Sequence, residues 1–228
     1  MPLSPETADV VTVPDAGLPG TPEEQALHAR LLADPRIRDI LIPHSWLQAR
    51  VAALAEAIAR DCGALAELTL LIVLKGAVTF ATRLGEALCW AGGPPVRYEF
   101  VRASTYGVGI KGPGDPARAV RIELAPPDLA ERDVLLVEDL VDQAFTLAHL
   151  LRHLRGTARV RSLRTCVLAE KVLARPSPAV QAARAALQLD YVGFRVPDRW
   201  IAGYGIDAGE DFRNLPCIVT VNEEHYRA

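Results

Sequence analysis

Hydrophobic positions along this chain follow two spacings, one short and unbroken, the other helical. Thr69 to Leu74 and Val134 to Val137 are near-continuous apolar runs, the mark of strands covered on both faces. Val96 to Val101 alternates, which predicts a strand with one more polar face, and Arg121 to Leu124 reads as a short strand. Val160 to Leu168, Tyr191 to Phe194 and Ile218 to Val221 supply three more. Between them, Leu47, Val51, Leu54, Ala55 and Ile58 recur at helical spacing after Ser45. Further helices are predicted from about Val78 to Leu88 and from about Thr146 to Arg155. Strands alternating with helices of these lengths predict an α/β fold, a mostly parallel twisted sheet flanked by helices. Ligands of such sheets sit beyond the carboxyl ends of the strands, so the residues just after each strand carry the functional question.

Two stretches fall outside this pattern. Residues 1 to about 35 hold Pro2, Pro5, Pro14, Pro19, Pro22 and Pro35, with one short helix near Pro22 to Leu27 behind a Thr21/Glu24 capping box. They read as a loosely attached extension (residues 1–35) on one domain (residues 36–228), and their deletion is expected to leave a folded, active core. Gly107 to Ala119 is rich in glycine and proline and reads as a long mobile loop.

Composition narrows the class. The chain has 228 residues, 50% of them hydrophobic, enough to bury a core without disulfide or zinc staples. A formal charge of -3 argues against a nucleic-acid partner, which would call for a basic excess. The four cysteines lack zinc spacing and are expected as free thiols in a reducing compartment. No apolar run reaches the roughly 18 residues of a membrane span, and the start lacks the basic and apolar segments of a signal peptide. A cytoplasmic protein with no membrane partner is expected.

The chemistry concentrates after the second buried run, at Glu138-Asp139-Leu140-Val141-Asp142-Gln143-Ala144-Phe145-Thr146. A helix cap at Asp142 or Thr146 would explain one polar side chain there, but not the adjacent Glu138-Asp139 pair. Unpaired carboxylates are costly to bury. Paired carboxylates can instead accept from two vicinal ribose hydroxyls, while turn N–H groups and a helix N-terminus receive a phosphate. Neither an ATP-type GxxxxGK[ST] loop nor a strand-GxGxxG-helix unit occurs. His149 and His153, four apart on a predicted helix, have no third ligand motif and read as a solvated face.

Val137 to Asp142, followed by Thr146-Leu147, resembles the phosphoribosyl pyrophosphate signature of type I phosphoribosyltransferases. Further stretches in the same order are similar to the 6-oxopurine (hypoxanthine-guanine) branch: Leu74-Lys75-Gly76, Phe100 to Gly107, Lys171 with Arg175, and Asp190 through Gly203-Tyr204-Gly205-Ile206-Asp207 to Pro216. The likeness spans roughly residues 36 to 222 and implies that family's fold, with a small hood and a flexible lid loop. It implies as substrates a purine base and phosphoribosyl pyrophosphate, Mg2+ as cofactor, and a homodimer or homotetramer. Glu138 and Asp139 would bind the ribose hydroxyls, and Gln143, Ala144, Phe145 and Thr146 the phosphate. Asp142 would handle the proton at purine N7. Lys171 would donate to purine O6, Trp200 would stack on the base, and the Ile201 backbone would meet its edge. Lys75, Gly76 and Arg213 would hold pyrophosphate, and Asp207 with Glu138 and Asp139 the metal. Thr105 and Tyr106 would lead the lid.

Without the family, Lys171 reads as a solvated lysine in an irregular segment, Trp200 as a core or partly exposed aromatic, and Arg213 as paired to Glu210 or Asp211. The phosphate turn also departs from the family's Asp-Thr-Gly-x-Thr, carrying Gln143-Ala144-Phe145 in the middle. If position 144 needs glycine's conformational freedom, alanine costs about 1 kcal/mol there. Ala144 and Phe145 would also crowd the phosphate. The departure opens a second reading, a divergent regulatory paralogue that binds phosphoribosyl pyrophosphate or nucleotide, or a transferase with another acceptor.

Overall fold

The apolar runs become the middle of the main sheet. The computed structural model describes residues 9–105, 120–124 and 128–226. In chain order come β1 (Val11–Thr12), α1 (Gln25–Leu32), β2 (Ile37–Ile42), α2 (His44–Cys62), β3 (Leu68–Val73), α3 (Ala77–Trp90) and β4 (Val96–Thr105). Then follow β5 (Val120–Leu124), β6 (Asp133–Val141), α4 (Phe145–Thr157), β7 (Ser162–Val172) and α5 (Pro178–Ala185). The chain closes with β8 (Tyr191–Pro197), β9 (Ile201–Ala202) and β10 (Ile218–Val221).

The seven-stranded sheet has the order β1-β8-β7-β6-β3-β4-β5. Every neighbouring pair is parallel except β4 with β5. Side chains along β3 alternate between two cores, as the pleat requires. Leu70 and Ile72 pack with Leu47 of α2 and Phe80 and Leu84 of α3, whereas Leu71 and Val73 pack with Leu147, Leu150 and Leu151 of α4. Both faces of the strand are therefore covered, which is why its sequence shows no alternation. A separate antiparallel sheet, β2-β10-β9, forms the hood around a small core of Ile37, Ala202, Cys217 and Val219. Among the described residues no helix is long and apolar enough to cross a membrane.

The loosely attached extension is a correction for residues 9–35. Strand β1 pairs in parallel with β8 at Phe194 and Arg195, and Val13 N–H donates to the Arg195 carbonyl at 2.8 Å. Val11, Val13 and Leu18 are buried in the main core, where six prolines had suggested open chain. Glu24 crosses to α2, accepting from Ser45 N–H at 2.8 Å and from its hydroxyl at 2.9 Å. The capping box at Thr21 and Glu24 is present.

Candidate active site

The candidate residues gather where the winding of the sheet reverses. From β3 the chain steps through α3 to β4 on one side, while β6 lies on the other. The carboxyl ends of β3 and β6 thus bound the crevice of a topological switch point. The register sets Ile72 beside Val137, so the loop after β3 arrives level with Asp139. Gly76 lies so close to the Asp139 carboxylate that a β-carbon there would collide with it. Gly205, at φ +105°, presses equally closely on the Gly76 carbonyl, bringing the hood loop onto this crevice. The Leu74–Lys75 peptide is cis.

Glu138 is buried and Asp139 half-buried at the end of β6. Burial, then the charge of Asp139, holds the Glu138 carboxyl well above the usual carboxylate range. Burial raises Asp139 too, although hydrogen bonds, including that from Leu140 N–H at 2.9 Å, pull it back. Two carboxyls this reluctant to ionise gain from any hydroxyl donor or cation placed against them.

The turn beyond them carries the strained residue. Ala144 is the N-cap of α4 in the left-handed conformation, φ 72° and ψ -6°, and no side chain caps the helix. Its first-turn N–H groups are therefore left for an anion. The left-handed backbone fits the cost expected of alanine in a glycine's place. The expected crowding does not hold. The Ala144 methyl is buried with Val141 and Leu147, and Phe145 lines a groove toward Ala182 and Ala186 beside α5. With the backbone already in the required shape, Gln143→Thr with Ala144→Gly is expected to change phosphoribosyl pyrophosphate affinity less than about threefold, or ~0.7 kcal/mol. Calorimetry on both proteins checks this, and a gain beyond tenfold would show that binding releases strain stored at Ala144.

Lys171 and Asp142 meet. Lys171 Nζ lies 3.3 Å from Asp142 Oδ2, with the lysine side chain 11% exposed. Lys171 is neither solvated nor in an irregular segment, because β7 continues to Val172 against Phe194 to Pro197 of β8. Arg184 of α5 locks this arrangement. It donates to the Asp142 carbonyl and, at 2.8 Å each, to the Lys171 carbonyl and Glu170 Oε1. Nothing in the sequence marks Arg184, since its importance comes from where α5 packs.

Arg213 pairs with Asp207 at 2.7 Å and Glu210 at 3.2 Å, and donates to the Gly205 carbonyl at 2.9 Å. Its Nε is buried without a partner. Lys75 Nζ is 3.0 Å from Glu210 Oε2. Among the described residues no three His, Cys, Asp or Glu side chains gather as a metal-holding group. Asp207, Glu138 and Asp139 are thus not one ligand cluster. Asp207 is turned to Arg213 and to the Glu210 N–H, 2.9 Å away. Its oxygen chemistry still suits Mg2+, which takes few protein ligands and fills its octahedron with water and phosphate. Trp200 is half-buried beside Tyr226, ring centroids 5.1 Å apart, and Ile201 is buried in β9. Thr105 ends β4, and Tyr106 lies outside the described residues.

A family model described as a phosphoribosyl transferase domain matches residues 43–208. Hypoxanthine-guanine phosphoribosyltransferase of Mycobacterium bovis is 36% identical over 197 residues, covering 84% of this chain and 89% of its own. The enzyme of that name from Crithidia fasciculata is 38% identical over 160 residues, 70% of each chain. Among solved structures, hypoxanthine-guanine phosphoribosyltransferase of Bacillus anthracis gives a TM-score of 0.65 at 33% identity, covering 82% of this chain and 99% of its own. Hypoxanthine phosphoribosyl transferase of Trypanosoma cruzi gives 0.69 at 34% identity, with coverage of 84% and 94%.

Proposed function

Because the chain belongs to the phosphoribosyl transferase domain family, we propose that it transfers the 5-phosphoribosyl group of phosphoribosyl pyrophosphate to hypoxanthine or guanine, releasing pyrophosphate. The observation that carries the base specificity is the Asp142–Lys171 pair, 3.3 Å apart at the carboxyl ends of β6 and β7. Lys171 donates to the purine O6, and Asp142 takes the proton at N7 as the new bond to the sugar forms. Glu138 and Asp139 accept from the ribose hydroxyls, whose donation offsets their burial. The uncapped N-terminus of α4 receives the 5-phosphate. Lys75 and Arg213 neutralise the leaving pyrophosphate, with Arg213 Nε free to join. Trp200 supplies a face for the base, and the Ile201 backbone its edge.

Asp207 would hold Mg2+, which would supply charge neutralisation of the leaving group. Assembly as a homodimer or homotetramer belongs to the same proposal. The regulatory alternative would leave the Asp142–Lys171 pair without a use.

Base selection tests the reading. A cationic donor at O6 rejects adenine, whose 6-amino group would set two donors face to face. Hypoxanthine or guanine should be used at least about 10²-fold better than adenine, in kcat/KM. Lys171→Ala should shrink that ratio mainly by losing the oxopurines. Equal use of adenine by the unaltered protein would sink the assignment.

A further inference from the structure

The two cations assigned to pyrophosphate are already bridged by a carboxylate. Glu210 Oε2 lies 3.0 Å from Lys75 Nζ, and its Oε1 lies 3.2 Å from Arg213 Nη2. Lys75 follows β3 and Glu210 stands on the hood loop, 135 residues later, so the bridge spans the mouth of the crevice. The loop is built to hold this position. Glu210 N–H donates to Asp207 Oδ2 at 2.9 Å, Ala208 and Asp211 exchange backbone hydrogen bonds of 3.1 and 3.2 Å, and Glu210 itself sits at φ 72°. Its side chain is nonetheless 66% exposed, and among the described residues its carboxylate is held by the two cations.

We propose that Glu210 is an internal competitor for the pyrophosphate seat, occupying the space between Lys75 and Arg213 when the site is empty and returning to it as pyrophosphate leaves. The inference rests on the reaction proposed above and names what governs the release of its product. Pyrophosphate carries several negative charges against one on Glu210, so it displaces the carboxylate on binding. Displacement leaves Glu210 in water, where a lone carboxylate is well solvated. The same exchange run backwards weakens the hold on the product, because Lys75 regains a carboxylate and Arg213, already paired with Asp207 at 2.7 Å, regains its second. Without Glu210, Lys75 would stand unopposed and Arg213 would be opposed by Asp207 alone, so the product would leave more slowly, and release limits turnover in many enzymes.

The test uses the full chain with inorganic pyrophosphate and Mg2+ in calorimetry, beside steady-state kinetics with hypoxanthine. Glu210→Gln should tighten pyrophosphate by about three- to tenfold, the range for removing one competitor that makes two solvent-accessible ion pairs. Product inhibition should strengthen and the KM for phosphoribosyl pyrophosphate should fall, with kcat falling too. Asp211→Asn is the control, since it removes the same charge one residue away but pairs with Arg36 at 2.9 Å. It should leave pyrophosphate affinity unchanged. Unchanged or weaker binding by Glu210→Gln, or equal tightening by Asp211→Asn, overturns the inference while the transferase reading stands. If neither the unaltered protein nor Glu210→Gln binds pyrophosphate, and no nucleotide forms, the reading and the inference fall together.

Discussion

Asp142→Asn is expected to cut turnover with hypoxanthine by about 10²- to 10³-fold, the usual worth of a positioned acid-base group. Asparagine keeps the shape of the side chain but cannot take up the purine proton. It also leaves Lys171, 11% exposed, without the carboxylate 3.3 Å away. The turn itself should stay where it is, because Arg184 grips the Asp142 backbone carbonyl, which the substitution does not touch. Binding of phosphoribosyl pyrophosphate should then change only fewfold, and the loss should appear in kcat. Rapid-quench or spectrophotometric turnover, paired with calorimetry, separates the two quantities. A loss below about tenfold removes Asp142 from the proton-handling role. A matching collapse of phosphoribosyl pyrophosphate affinity would instead assign it to the ribose-phosphate subsite.

What the sequence disclosed about this site was local. Glu138 to Thr146 could be read as a strand, a turn and a helix start because each choice is made within a few residues. The left-handed backbone at Ala144 was foreseeable in the same way, from one residue standing where glycine belongs. Long-range packing was not foreseeable. β7 was expected to stop at Leu168, yet it runs four residues further because β8 lies beside it, and this is what buries Lys171. β2 and α5 leave little trace in the sequence, the first beside a proline-rich stretch and the second, Pro178 to Ala185, too short to show a decisive period. Without α5 nothing sets Arg184 apart. Glu210 was visible only as an ordinary partner for Arg213; its second contact, to Lys75, exists because the hood loop closes on the loop after β3.

Removing residues 1–35 is expected to abolish cooperative folding, against the impression that proline content gives. Val11, Val13 and Leu18 are each no more than 5% exposed in the main core. At about 1.5–3 kcal/mol for each buried side chain of this size, their loss alone removes roughly 4.5–9 kcal/mol. That rivals the ~5–15 kcal/mol by which a typical domain is stable. Two further effects add to it. Trp46, 9% exposed, donates its indole N–H to the Pro19 carbonyl at 2.9 Å, and an orphaned buried donor costs about 1–3 kcal/mol. Strand β8, now flanked by β1, would become the edge of the main sheet with its Arg195 carbonyl unpaired at Val13, an invitation to aggregate. Circular dichroism melts of the full and truncated chains, with light scattering, decide the matter. The truncated protein should be insoluble or melt without a sharp transition. A cooperative melt within a few degrees of the full chain would show that these prolines tether a dispensable strap.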